Sequence, residues 1–118
     1  LEFEVNNVPI IKIFKNQNCN MYHSLKLGWR ILKKMGCKYI CNVDSDTLVR
    51  PEWLKTLKSV YESYVHESNN DILLTGFNTI TNNHSNISET DTHYQKLTVG
   101  GINLFFTSDN VDKFSKFM

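Results

Sequence analysis

The sequence has no apolar run approaching the roughly 20 residues that a membrane-spanning helix needs. It carries little excess charge of either sign. Thirteen Lys and Arg against 12 Asp and Glu leave a net +1, which makes no broad electrostatic case for nucleic acid or an anionic membrane. The first residues, LEFEVNNVP, hold acids and no basic stretch, so they do not read as a signal peptide. They begin at Leu1 rather than Met, which is expected of a piece of something longer. Cysteines are few and odd in number: Cys19, Cys37 and Cys41. That excludes a self-contained disulfide framework and leads us to expect free thiols and a cytoplasmic, reducing compartment. His23 follows Cys19 at ligand-like spacing, but a fourth ligand at matching spacing is missing, so a zinc site is not expected.

What remains is an ordinary globular composition, 41% hydrophobic and 21% charged, in 118 residues, enough for one domain. Val8 to Phe14, VPIIKIF, reads as a strand. Met21 to Met35 places Leu25, Leu27, Ile31, Leu32 and Met35 among lysines and Arg30, an amphipathic helix. Gly36 is positioned to cap it, and Lys33 and Lys34 suit the negative end of its dipole. Tyr39 to Val43 is a second strand, apolar enough to be central. Pro51 and Glu52 suit the first turn of a helix that presents Trp53, Leu54, Leu57, Val60, Tyr61 and Tyr64 and fades near His66.

Asp71 to Thr75 is a third strand, Thr79 to Thr92 a polar loop, and Thr98 to Thr107 a strand interrupted by Gly100-Gly101. Ser108 or Asp109 caps a final helix carrying Val111, Phe114 and Phe117. Strands alternating with helices imply an α/β protein whose first strands are parallel through right-handed crossovers. In such sheets ligands bind at the carboxyl ends of strands.

Asp44 and Asp46 stand at one of those ends, in YICNVDSDTLVRPEW. In an extended chain residues i and i+2 face one side, with Ser45 opposite. Two neighbouring carboxylates repel, so either one takes a proton or a cation sits between them. Oxygen ligands suit Mg²⁺ or Mn²⁺, whose remaining positions fall to water and a second anion, a diphosphate being the natural one. The competing reading is turn and capping chemistry, which Asp-Ser-Asp-Thr before a helix also supplies.

GCKYICNVDSDTLVRPEWLKTL, followed by the glycine-pair strand in VGGINLFFTSDNVDKF, resembles the nucleotide-sugar glycosyltransferases of the GT-A fold, family 2-like group. The two blocks agree in order and spacing, and the likeness spans about Val8 to Phe114. The resemblance implies a Rossmann-like three-layer sheet with helices on both faces, incomplete here, so that residues 1–118 form a single partial catalytic domain. It implies transfer of a sugar from a nucleoside-diphosphate donor to an acceptor, whether glycan, protein or lipid, with Mn²⁺ or Mg²⁺ as cofactor. Asp46 would bind the metal directly. Asp44 would contact the donor ribose or reach the metal through water, with Ser45 beside it. Gly100 and Gly101 would let the backbone approach the sugar, Lys26 could serve a phosphate, and His93 is the histidine best placed to complete the metal shell.

The chain departs from that pattern before Leu1, where the family's first strand, helix and second strand have no counterpart. It departs again after the glycine strand, where a carboxylate base is expected. Glu89, Asp91 and Asp109 are available, none matches, and no catalytic base is assigned. Two other readings stand beside the transferase. In a haloacid-dehalogenase-like phosphatase, Asp44 would be the nucleophile, Asp46 the acid/base and Thr75 an imitation of the second motif. In a non-catalytic binding fragment, Trp29, Phe105, Phe106 or Phe117 would be exposed on an apolar patch.

Overall fold

The computed structural model describes residues 2–17, 20–68, 72–78 and 84–116. Cys19, Asp71 and Phe117 lie outside them, as do residues 79–83 of the expected polar loop. The fold is a small mixed α/β domain with short sheets and three helices. In chain order it runs β1 (Glu2–Val5), β2 (Val8–Ile11), α1 (Met21–Lys34), β3 (Tyr39–Val43) and α2 (Trp53–Ser68). β4 (Ser88–Glu89), β5 (Tyr94–Gln95), β6 (Asn103–Thr107), a 3-10 turn (Ser108–Asn110) and α3 (Val111–Ser115) follow.

α1 forms where the sequence places it, and both ends are stopped by local chemistry. The Asn20 carboxamide accepts the His23 N–H at 2.9 Å, satisfying a first-turn donor. At the other end Gly36 takes φ 84°, a left-handed conformation that only glycine adopts cheaply. Its N–H donates to Lys33 C=O at 3.0 Å, and the Cys37 N–H reaches back to Leu32 C=O at 3.1 Å. That pair of bonds is a Schellman stop.

Other elements differ from expectation. Residues 2–11 form an antiparallel hairpin with Val5 opposite Val8, turned by Asn6 and Asn7 at φ 51° and 64°. Two positive-φ asparagines make the tight turn that matches strand twist. β2 therefore pairs with β1, and the parallel pairing expected between it and β3 is not found among the described residues. Pro51 and Glu52 precede α2 as a turn instead of opening it. Glu52 sits at φ 64°, and its C=O accepts the Thr56 N–H at 2.9 Å. The third strand contracts to a bridge at Leu74, and Thr98–Ile102 is irregular, so the glycine strand begins at Asn103. Neither Ser108 nor Asp109 caps α3 with a side chain; Thr107 and Asn110 occupy the capping positions.

The central sheet is β3 paired antiparallel to β6, with Ile40 opposite Phe106. On its far side β6 bonds Leu74, Phe105 and Leu74 exchanging both backbone bonds at 2.8 and 2.9 Å. Side chains alternate across these strands as strand geometry requires. Ile40, Leu104 and Phe106 join Trp29 of α1 and Val111 of α3 in one buried cluster. Phe105, with Tyr39 and Cys41 beside it, joins Leu57 and Tyr61 of α2 in another. Trp29, Phe105 and Phe106 are thus core residues, not an apolar patch. The backbone bonds of Asp44 to Ile102 and of Ser108 to Lys38 fix the ladder's parity. Residues 38, 40, 42 and 44 face β6, while Tyr39, Cys41 and Val43 turn their N–H and C=O groups to the outer edge. No described helix is long and apolar enough to cross a membrane.

Candidate functional site

The ladder between β3 and β6 ends at Val43 opposite Asn103, and both chains leave the sheet at that point. Asp44 keeps one last contact, its N–H donating to Ile102 C=O at 3.1 Å. Its own C=O accepts the Thr47 N–H at 3.1 Å. That i to i+3 bond makes Asp44–Thr47 a β-turn with Ser45 and Asp46 at its corner. The extended geometry expected of Asp-Ser-Asp is therefore replaced by a turn, and the same-side placement that extended geometry implied no longer follows.

Capping chemistry does not account for the carboxylates. An aspartate opening a turn commonly accepts a main-chain N–H two residues on. Here neither the Asp44 nor the Asp46 side chain has a hydrogen-bond or ion-pair partner among the described residues. Asp44 is half-buried, while Ser45 and Asp46 are exposed.

The glycine pair comes to the same place. The Asn42 side chain donates to Gly101 C=O at 3.0 Å, so residues 100–102 run alongside the chain that leads into Asp44. A methyl group added at Gly101 would meet nothing within 4 Å, so the space over this backbone is open. Asp44, Ser45, Asp46, Gly100 and Gly101 are thus gathered at one end of the β3–β6 pair.

Lys26 and His93 are not shown to join them. Lys26 is half-buried on α1, which packs on β3, the 3-10 turn and α3. His93 lies in the β4–β5 turn, with Nδ1 2.8 Å from Thr92 Oγ1 and 3.1 Å from Thr90 Oγ1 and its ring edge-on to Tyr64. Among the described residues no three His, Cys, Asp or Glu side chains cluster closely enough to hold a metal. Thr75 spends its hydroxyl on its own loop, accepting the Phe77 N–H at 3.1 Å.

Two residues not singled out in the sequence tie the site together. Asn103, only 4% exposed, donates from Nδ2 to Asn42 C=O at 2.9 Å, and its Oδ1 accepts the Gly76 N–H at 2.9 Å. It thereby fastens the loop after Leu74 to the end of β3. A Cβ on Gly76 would lie 2.9 Å from that same Oδ1, so the position admits only glycine without a shift. The signal for Asn103 was a lone amide inside the apolar run INLFF, since buried polar groups are informative.

Beside this clamp lies a cleft of about 420 Å³ lined by Thr47, Arg50, Trp53, Phe77 and Asn103 among others. A second cavity, about 540 Å³, adjoins it through the shared residues Thr56, Leu57 and Gly76. A third, about 480 Å³ around Cys37, Lys38 and Ser108, opens at the opposite end of the sheet.

Burial of Cys41 pushes its thiol above the usual range, partly offset by the Asn103 amide that donates to its sulfur at 3.5 Å. Comparisons with family models, curated proteins and solved structures give no match.

Proposed function

We propose that the chain is a donor-binding portion of a GT-A-like glycosyltransferase, in which Asp44 and Asp46 hold Mn²⁺ or Mg²⁺ against the diphosphate of a nucleotide sugar. One observation carries this reading. Two carboxylates, Asp44 and Asp46, stand two residues apart in the turn that follows β3, and neither has a described protein partner. A hard divalent ion is the kind of ligand that carboxylate oxygens so placed would take. Both candidate ligands offer oxygen, the donor type that suits Mg²⁺ or Mn²⁺, and water and phosphate oxygens would have to fill the remaining positions. A bound metal would neutralise the charge that develops as the diphosphate departs.

The other residues would act by placement. Asn103 keeps the Gly76 loop and the end of β3 in fixed relation, so the acidic turn rests on a rigid base. The open backbone at Gly101 gives a sugar space to approach. Arg50, on the cleft wall, offers a cation to an anionic group. Antiparallel β6 separates two co-directional segments, β3 and Leu74, and helices supply buried side chains to both clusters. Cys37 and Cys41 are unpaired, which suits a reducing compartment.

Isothermal calorimetry with UDP- and GDP-sugars tests the reading, with and without Mn²⁺, on the wild type and on Asp46→Ala. Binding should require the metal and disappear in the variant. Binding indifferent to both changes removes the transferase.

A further inference from the structure

Charge is not spread evenly along the chain. Between Glu4 and Asp44 there is no acidic residue, while seven Lys and Arg fall in that stretch. Its +7 is offset by −6 in the rest of the molecule, so the net +1 conceals a strongly basic N-terminal third. The helix in that stretch aligns part of this charge. Lys26, Arg30 and Lys34 recur every fourth residue and share one flank of α1, while Leu25, Trp29 and Leu32 turn another flank into the core. Arg30 and Lys34 are exposed. Lys33 stands apart from this row, drawn to Asp112 at 3.2 Å.

Apolar side chains are exposed in the same stretch. β1 and β2 pair with each other and with no further strand among the described residues. From Asn6 to Gln17 every residue but Ile10 is exposed, so Val8, Ile11, Ile13 and Phe14 stand in water, Phe14 at 82%. Lys15 donates to the Ser24 hydroxyl, which brings the end of this segment against the first turns of α1. Met21 and Tyr22 are exposed there as well. One exposed apolar residue needs no partner, but six between Val8 and Tyr22 mark an interaction surface.

We infer that the N-terminal hairpin and the start of α1 form a contact surface for an anionic lipid bilayer. The class of partner follows from the two features together. Acidic headgroups supply the counter-charge that the seven cations lack locally, and Glu2 and Glu4 of β1 leave the region strongly positive. The hydrocarbon boundary takes the apolar side chains, as it does for amphipathic segments that lie on a membrane. A nucleic acid would supply the same counter-charge, but its bases stack on aromatic faces. The exposed set here is chiefly aliphatic, with Val8, Ile11, Ile13 and Met21 beside Phe14 and Tyr22. The contact is peripheral and needs no spanning helix. It does not rest on the metal reading, since it needs neither Asp44 nor Asp46.

Co-sedimentation of the full chain with vesicles decides it. Vesicles of phosphatidylcholine alone are compared with equimolar phosphatidylcholine and phosphatidylserine. The wild type should bind the anionic vesicles about tenfold more tightly than the neutral ones. Ile13→Ser with Phe14→Ser should weaken that binding about tenfold, and Arg30→Gln with Lys34→Gln by a similar factor of about ten. Both pairs alter exposed side chains outside the core. Equal binding to the two vesicles, binding to neither, or either variant pair binding as the wild type does overturns the assignment. A chain retained by a single-stranded RNA oligonucleotide and not by the anionic vesicles also overturns it, in favour of a nucleic-acid surface. Should a variant pair not fold, the comparison of the two vesicles on the wild type still decides.

Discussion

Asn103 joins three pieces of chain with one carboxamide, and its loss would be felt at each. Replacing it by Leu strands the Gly76 N–H and removes one bond to Asn42 C=O in a buried place. About 1–3 kcal/mol of stability should go with it. Gly76→Ala should cost a similar amount, roughly 1–3 kcal/mol, because the new methyl group meets Asn103 Oδ1. Urea denaturation of both single variants and of Gly76→Ala with Asn103→Ser checks the contact. The double variant should recover part of the Gly76→Ala loss, since the obstructing atom is gone; strict additivity would contradict the clamp.

Cys41 gives a second reading at this scale. A thiol whose folded pKa is raised contributes stability that is present at neutral pH and lost as pH climbs through the raised value. Alkylation of Cys41 should therefore accelerate only at a pH above that of an exposed thiol, followed by mass spectrometry.

At the scale of elements, what was legible was local. α1 announces itself by apolar spacing, an Asn cap and a terminal glycine, all within one stretch of chain. Gly36→Ala should remove about 1 kcal/mol, seen as a lower thermal midpoint, because alanine must enter the left-handed region. The N-terminal hairpin escaped because Asn6-Asn7 is a weaker turn signal than Asn-Gly, and the β4–β5 hairpin because its residues are polar.

Strand direction was not legible at all. Apolar periodicity identifies β3 and β6 as buried strands but carries no information on which way a partner runs. Their antiparallel ladder makes a distinct expectation for hydrogen exchange. Amides of Ile40, Asn42 and Asp44 face β6 and should exchange slowly, while those of Tyr39, Cys41 and Val43 face the open edge and should exchange faster. Uniform protection along β3 would show that the outer edge is covered.

For the whole molecule, the helices and the central sheet meet in two clusters, one on each set of alternating side chains. Phe106, 0% exposed, links Trp29 and Phe114 by edge-to-face contacts at 4.9 and 5.2 Å. Phe106→Ala should cost about 3–5 kcal/mol, a large share of the roughly 5–15 kcal/mol that holds a domain together. The candidate site was partly readable at this scale. The acidic pair and the glycine pair are far apart in sequence, yet the β3–β6 ladder brings them side by side. Asn103 and Gly76 were not read, since their roles exist only once the Leu74 segment is laid against β6.

The central claim is that the acidic turn holds a divalent ion, and paramagnetic broadening by Mn²⁺ tests it most directly. Substoichiometric Mn²⁺ should erase the amide signals of Asp44–Thr47 and of Ile102 first, and should leave them intact in Asp44→Asn with Asp46→Asn. Signals that survive in the wild type, or broadening centred elsewhere on the chain, would contradict the account.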